Sequence, residues 1–154
     1  MKYWLMKTEP STFSIDDLEK APKRTTCWDG VRNYQARNML RDDFAKGDLA
    51  FLYHSSCEVP GVVGVMKITR SGYPDQTAFD PKHDHHDPAS QRDAPRWYMV
   101  DVTLEKRFPR AITLEMLRVH ATRELSGMQL LRPGNRLSVM PVDLDQWKFI
   151  LSLA

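Results

Sequence analysis

The chain has 154 residues, of which 42% are hydrophobic and 27% are charged, and this balance is typical of one folded globular domain. Its 22 basic and 20 acidic residues leave a formal charge of +2, which argues against an extended polybasic nucleic-acid binder. The two cysteines, Cys27 and Cys57, form no CxxC pair and disfavour a disulfide scaffold or a cysteine-based zinc site. Lys7 and Glu9 interrupt the apolar start, so no signal peptide is expected. We expect one monomeric, intracellular domain over residues 1–154, cytoplasmic in a bacterium or nuclear in a eukaryote, with no membrane contact.

Several short apolar runs have the length and composition of β-strands. These runs are Lys2–Lys7, Asp48–Tyr53, Val62–Arg70, Trp97–Lys106 and Leu137–Val142. Such short strands cannot bury their faces in a flat open sheet without helices to cover them, so a curled sheet or small barrel with helices at its ends is favoured. The sequence therefore predicts an α+β fold.

Helical signals are local and short. The predicted helices open at the Ser14–Asp17 capping box, cover Val31–Phe44, Thr113–Leu117 and Glu124–Leu131, and end with a helix capped by Asp143 and Gln146. In the last helix Trp147, Ile150 and Leu151 share one face, which we expect to pack on the core.

One long segment, Ser71–Arg96, is irregular and is called the flap below. It contains four prolines, and proline at this density breaks both helices and sheet ladders. Because strand-like runs stand on both sides of it, we expect an ordered flap that lies over the domain rather than a linker.

The flap also carries His83-Asp-His-His-Asp87, which contains the residue types of a zinc or nickel site. The spacing fits no standard helical metal motif, and no second cluster of this kind exists elsewhere in the chain. A metal-dependent hydrolase that uses His83, His85, His86 and Asp87 stays open as the least favoured function. No metal and no other cofactor is expected.

The densest polar and aromatic segment is Trp28–Asn38. Between residues 23 and 41, five basic side chains oppose Asp29 alone, and the resulting +4 exceeds the +2 of the whole chain. Gly30 precedes a predicted helix, where the backbone can approach a ligand and the helix N-terminus attracts phosphate. Trp28 supplies a stacking face. Two interpretations stay open, namely a nucleic-acid interface and a solvated basic helix beside a buried tryptophan.

Two predicted strand ends present polar groups. His54, after Tyr53, can orient a base or form a hydrogen bond within its own turn, and no nucleophile-elbow motif surrounds Ser55. Glu9, before Pro10, can accept a hydrogen bond from an exocyclic amine, as acidic groups do for cytosine, or can simply end the strand. No nucleophile, base and orienting group are found together, so an enzyme is not predicted.

In their order along the chain, these segments resemble the EVE domain, a member of the PUA-like group that also contains the YTH and ASCH domains. The matching motifs are Tyr3–Pro10, Trp28–Asn33, Ala36–Asn38, Gly47–Asp48, Phe51–Ser55, Asp75–Pro81, Asp87–Ser90, Pro95–Trp97 and Leu137–Val142. The resemblance covers nearly the whole chain. It implies a PUA-like curled β-barrel of about five to six strands with short flanking helices.

The resemblance also implies a non-enzymatic module that flips a modified base, a cytosine derivative in DNA, into an aromatic and polar pocket. Because related YTH domains hold methylated adenine of RNA in an aromatic cage, a reader of modified RNA stays open, as does a binder of free nucleosides. The implied pocket residues are Trp4, Lys7, Glu9, Pro10, Trp28, Asp29, Gly30, Val31, Arg32, Asn33, Arg37, Asn38, Tyr53, His54, Ser55, Asp87, Pro88, Ser90 and Ser138. The histidines before Asp87 depart from the family pattern.

Overall fold

The computed structural model describes residues 1–154. The strands are β1 (Tyr3–Thr8), β2 (Thr25–Cys27), β3 (Leu49–His54), β4 (Gly61–Pro74), β5 (Tyr98–Thr113) and β6 (Val139–Val142). The α-helices are α1 (Ile15–Lys20), α2 (Tyr34–Asn38), α3 (Leu114–Arg118) and α4 (Leu144–Ser152). Single 3-10 turns lie at Pro22–Arg24, Gln76–Phe79 and Gln129–Leu131, and a π-turn at Met39–Asp43 extends α2.

All six strands form one mixed sheet in the order β2-β5-β4-β3-β1-β6. Only β1 and β3 are parallel, and register shifts along β4 and β5 mark bulges, which bend strands. The edge strands β2 and β6 do not pair with each other, so the sheet is open and a closed barrel is not confirmed. The α+β class is confirmed.

The flap connects β4 to β5, and its first four residues belong to β4. Pro74 and Tyr98 pair across the two strands, and the Asp75 amide donates to the Trp97 carbonyl at 2.9 Å. Both ends of the flap are therefore fixed in one hairpin. The prediction of an ordered segment between two strands is confirmed.

The five predicted strands are all present, because each contains an apolar run that the sheet buries. The sequence missed β2, which is only three residues long and shows no periodicity. The predicted long helix begins at Tyr34 rather than Val31, since Asn33 takes the N-cap position and accepts from the Ala36 amide at 3.0 Å.

The C-terminal region holds one wrong prediction and one confirmed in part. A helix over Glu124–Leu131 is wrong, because Gly127 lies in the left-handed region at φ +77 and only the last three residues form a 3-10 turn. The capping box of α4 is confirmed. Trp147 and Ile150 are buried as predicted, whereas Leu151, in the last turn, is 37% exposed.

The core lies on the faces of the sheet and joins it to the helices through a single cluster of 33 buried residues. Phe51 from β3 stacks on Trp147 from α4 with ring centroids 3.8 Å apart, so the last helix is held against the middle of the sheet. None of the helices has the length and hydrophobicity needed to cross a membrane.

Candidate functional site

A cavity of about 600 Å³ opens between the C-terminal end of β1, the chain from β2 to α2, and the tip of the flap. This volume is in the usual range of ligand pockets. The cavity is lined by Lys7, Thr8, Glu9, Thr12, Phe13, Thr26, Cys27, Trp28, Asp29, Gly30, Val31, Arg32, His83, Asp84, His85 and Ser138.

Several residues implied by the resemblance meet at this cavity although they are far apart in sequence. They are Lys7, Glu9, Trp28, Asp29, Gly30, Val31, Arg32 and Ser138. The sequence missed the lining residues Thr12 and Phe13, whose position just after Glu9-Pro10 was the available signal. It interpreted His83 and His85 as a metal tract, not as a wall of this cavity.

Trp28 is both a core residue and a lining residue. Its backbone amide donates to the Val100 carbonyl of β5 at 2.7 Å, which fixes the segment that follows β2. The side chain is only 7% exposed and belongs to the buried cluster. The expectation of a buried tryptophan is therefore met, and this largely buried indole also borders an open cavity. The nucleic-acid interface stays a prediction.

Asp75 holds the cavity wall at Gly30–Arg32 to the start of the flap. Its fully buried carboxylate accepts from the Gly30 amide at 2.8 Å, from Arg32 Nη1 at 2.9 Å, and from the Thr77 amide and hydroxyl at 2.9 and 2.5 Å. Burial alone would raise the pKa of Asp75, but the bonds from Thr77, Gly30 and Arg32 outweigh it and lower the pKa below its ordinary value. The sequence did not single out Asp75 as a site residue.

Arg32 continues this connection to the tip of the flap. Its Nη2 and Nε donate to the His85 carbonyl at 2.6 and 3.2 Å, and its guanidinium lies 5.4 Å from the centre of the Trp97 ring. Because Asp75 balances its charge, Arg32 acts first as an anchor of the flap and offers little free charge to a phosphate.

Trp4, Tyr53 and His54, which the resemblance placed in the pocket, do not line the cavity. Trp4 is 3% exposed and donates to buried Asp48 at 3.0 Å, and Tyr53 is also 3% exposed. His54 Nε2 accepts from the Ile15 amide at 3.1 Å, and burial lowers the pKa of His54. His54 therefore joins β3 to the first residue of α1, and Trp4 joins β1 to the residue before β3.

A second group of implied residues fixes the base of the flap rather than lining the cavity. Arg37 Nη1 donates to the Arg96 carbonyl at 2.6 Å, and Asn38 accepts from Arg37 Nε at 2.8 Å. Asp87 accepts from the Trp97 indole at 2.6 Å, and the hydroxyl of buried Ser90 accepts from the Arg96 amide at 3.0 Å. The helix cap Asn33, together with Pro10, Ser55 and Pro88, is likewise absent from the lining.

The lining charges are two basic and three acidic residues when histidine is neutral. Burial lowers the pKa of Lys7, whose ammonium lies 5.9 Å from the centre of the Tyr53 ring. Glu9 and Asp29 face the same space, and no ion pair with lysine or arginine joins either carboxylate. The cavity therefore suits an uncharged ligand with hydrogen-bond donors better than a phosphate.

The proposed hydrolase ligands are not brought together as a set. His83 and His85 approach Asp29, with all three donor atoms within 4.8 Å of one another, and neither His86 nor Asp87 joins this group. Asp87 instead accepts from the Trp97 indole and the Ala89 amide.

Comparison with known proteins agrees with this architecture. The EVE domain model matches residues 2–153. Mouse thymocyte nuclear protein 1 is 47% identical over an alignment of 165 positions, gaps included, that covers 98% of this chain and 73% of the mouse protein. Human THYN1, solved in complex with DNA containing 5-methylcytosine, has a TM-score of 0.94 and 43% identity, with 99% of this chain and 97% of that chain covered. A Pseudomonas syringae structure has a TM-score of 0.92 and 45% identity, with 98% of each chain covered. The chain therefore belongs to the EVE domain family.

Proposed function

We propose that this protein is a non-enzymatic reader of modified DNA that accepts a flipped cytosine derivative in the cavity beside Trp28. The observation that carries the proposal is the cavity itself, in which an indole, apolar side chains and carboxylates without a lysine or arginine partner meet. The structure of human THYN1 in complex with 5-methylcytosine DNA supports the choice of ligand, because that protein shares the fold over nearly the whole chain.

The lining offers a counterpart for each part of a methylated cytosine. Glu9 and Asp29 can accept from the exocyclic amine, which is how acidic side chains read cytosine. Phe13 and Val31 supply apolar surface for a methyl group, and Trp28 supplies an aromatic edge or face. The lining has one more acidic than basic residue, which disfavours the entry of a phosphate.

The energetics require further contacts with the DNA backbone. Removing a base from the duplex costs a few kcal/mol, and stacking on an aromatic ring returns about 1–3 kcal/mol. Lys23 and Arg24 are exposed and lie just before Thr26, at the rim of the cavity. They fit phosphate contacts better than Arg41, whose charge is paired with Asp42 at 2.8 Å.

The one cysteine that lines the cavity is a poor nucleophile. Desolvation of its sulfur, followed by the nearby charges of Asp29 and Asp101, raises the pKa of Cys27 above its ordinary value. The thiol is therefore protonated at neutral pH, and the reactive thiolate is scarce. This supports a binding function rather than chemistry on the base.

The proposal is tested by titrating the protein at fixed salt with matched oligonucleotides and following fluorescence anisotropy. Burial of one methyl group contributes about 0.8 kcal/mol, so 5-methylcytosine duplex should bind about fourfold more tightly than the unmodified duplex. A 2-aminopurine next to the modified base should brighten on binding if the base leaves the stack. Equal binding to both duplexes would refute the proposal. Preference for methylated RNA would instead support a reader of modified RNA. Tight binding of free 5-methylcytidine would support a binder of free nucleosides.

The contribution of the cavity is measured with Glu9→Gln, and Glu58→Gln serves as a control that makes the same charge change at an exposed carboxylate outside the cavity. We expect Glu9→Gln to reduce the preference for modified DNA, while Glu58→Gln leaves it unchanged. An equal effect of both substitutions would indicate only long-range electrostatics.

A further inference from the structure

Three side chains with metal-binding atoms meet at the wall of the cavity. Asp29 Oδ2 lies 3.8 Å from His85 Nδ1 and 3.9 Å from His83 Nε2, and all three donor atoms lie within 4.8 Å of one another. Around a tetrahedral zinc ion with bonds near 2.1 Å, ligand atoms are roughly 3.4 Å apart. The three atoms are therefore within about 1.5 Å of the spacing that one ion requires.

The orientation of His85 gives a second, independent observation. The side chain as a whole is 36% exposed, but its Nδ1 atom is buried and has no hydrogen-bond partner in the structure. Buried polar atoms without a partner are rare, because each one loses its hydration without compensation. The Asp29 carboxylate lies 3.8 Å from this atom, so a cation between them would satisfy both groups.

We propose that Asp29, His83 and His85 form a binding site for a divalent transition-metal ion of the zinc type. Two imidazoles and one carboxylate favour zinc-like ions over Mg²⁺ or Ca²⁺, which prefer oxygen ligands. Since all three residues line the cavity, water from the cavity can complete the coordination. The site shares Asp29 with the proposed base-binding wall, so with an ion bound Glu9 is the carboxylate left to accept from the exocyclic amine.

The surrounding structure positions these ligands. Arg32 donates twice to the His85 carbonyl and thereby fixes the tip of the flap against the wall of the cavity. Gly30 permits the close approach, because a Cβ at this position would overlap the His85 ring. Arg32 itself is paired with Asp75, so it does not compete with a metal ion for the Asp29 carboxylate.

Metal binding must also rearrange the turn at the tip of the flap. The His85 amide donates to His83 Nδ1 at 3.0 Å, which keeps the proton of the neutral His83 ring on Nε2. Coordination through Nε2 moves that proton to Nδ1, and the bond from the His85 amide must then open. The ion therefore replaces a local hydrogen bond with a link between the flap and Asp29.

The experiment uses full-length protein without a histidine tag, loaded with Zn²⁺ and dialysed, and then titrated with Zn²⁺ by calorimetry. We expect one retained equivalent, and an affinity that His83→Ala and His85→Ala each lower by at least about tenfold. His86→Ala is the matched control, because His86 lies in the same tract but outside the cluster. It should leave the affinity unchanged, and excess Mg²⁺ should not displace the ion.

Two measurements on the unaltered protein guard against variants that do not fold. Co²⁺ should give the intense visible bands of a tetrahedral site, and the amide NMR signal of His85 should shift strongly on Zn²⁺ addition while signals of the remote helix α4 stay in place. Loss of all metal on dialysis would overturn the proposal. So would an equal loss of affinity in His86→Ala and His85→Ala, which would indicate diffuse binding to the histidine tract.

Discussion

The replacement Asp75→Asn tests whether one buried carboxylate holds the cavity wall to the flap. The amide oxygen can still accept from Thr77, but the amide NH₂ group must then face the Gly30 amide and Arg32, which are both donors. An unsatisfied buried N–H costs about 1–3 kcal/mol. Breaking a fully buried ion pair costs about 3–5 kcal/mol. The cost here is smaller, because Arg32 is 24% exposed to water and keeps its hydrogen bonds to the His85 carbonyl. We expect a loss of about 3 kcal/mol in the free energy of unfolding.

The assay is urea unfolding followed by tryptophan fluorescence, with Asp42→Asn as the control. Asp42 is exposed and pairs only with its neighbour Arg41, so its replacement should leave the free energy of unfolding unchanged within error. A loss below about 1 kcal/mol for Asp75→Asn, or equal losses for the two variants, would refute the role assigned to Asp75.

The pH dependence of this difference gives a second check. Because the folded pKa of Asp75 is lowered, its stabilisation is fully present above the unfolded pKa of about 3.9 and is lost as pH falls through the lower folded value. The gap between the parent protein and Asp75→Asn should therefore stay constant from pH 7 to about pH 5 and close only in stronger acid. A gap that closes near neutral pH would point to another group.

Two further predictions concern Gly30, which lines the cavity, and His54, which does not. Gly30→Ala should raise amide hydrogen exchange at the tip of the flap and weaken binding of modified DNA. The reason is that Gly30 has φ +79 and that a Cβ at this position would displace the His85 ring. Unchanged exchange would contradict the close contact between Gly30 and His85. His54 should titrate below its ordinary value of about 6.5 in an NMR experiment, since burial, assisted by Arg107 and opposed by Asp16, lowers its pKa. Stability should then fall as pH drops from about 6.5 toward that folded value, and a measured pKa at or above 6.5 would show that the histidine is better hydrated than the structure indicates.

The sequence predicted the elements that depend on neighbouring residues. These elements are the helices that open at the capping boxes of Ser14 and Asp143 and the strands at the five apolar runs. Each is determined by residues close together in sequence, and each has the predicted structure. A single glycine in the left-handed conformation was enough to prevent the helix expected over Glu124–Leu131. Short β2 exists only because β5 offers it a partner.

The candidate site was harder to predict because its geometry depends on contacts between distant parts of the chain. Asp75 reaches Gly30 and Arg32 across more than 40 residues, and no local pattern marks that pairing. For the same reason the family resemblance grouped Tyr53 and His54 with residues that line the cavity, although Tyr53 is buried and His54 accepts from the Ile15 amide. Composition identified a basic segment but could not tell which arginines are already paired.

Both ends of the flap are fixed at the Pro74–Tyr98 pair, so the strand register is set independently of the residues at the tip of the flap. Residues at the tip of the flap can be exchanged, added or removed without shifting the register of any strand. If the proposed function holds, ligand preference can change through residues of the flap while the sheet stays fixed. The cluster of histidines in this chain is one outcome that such freedom permits.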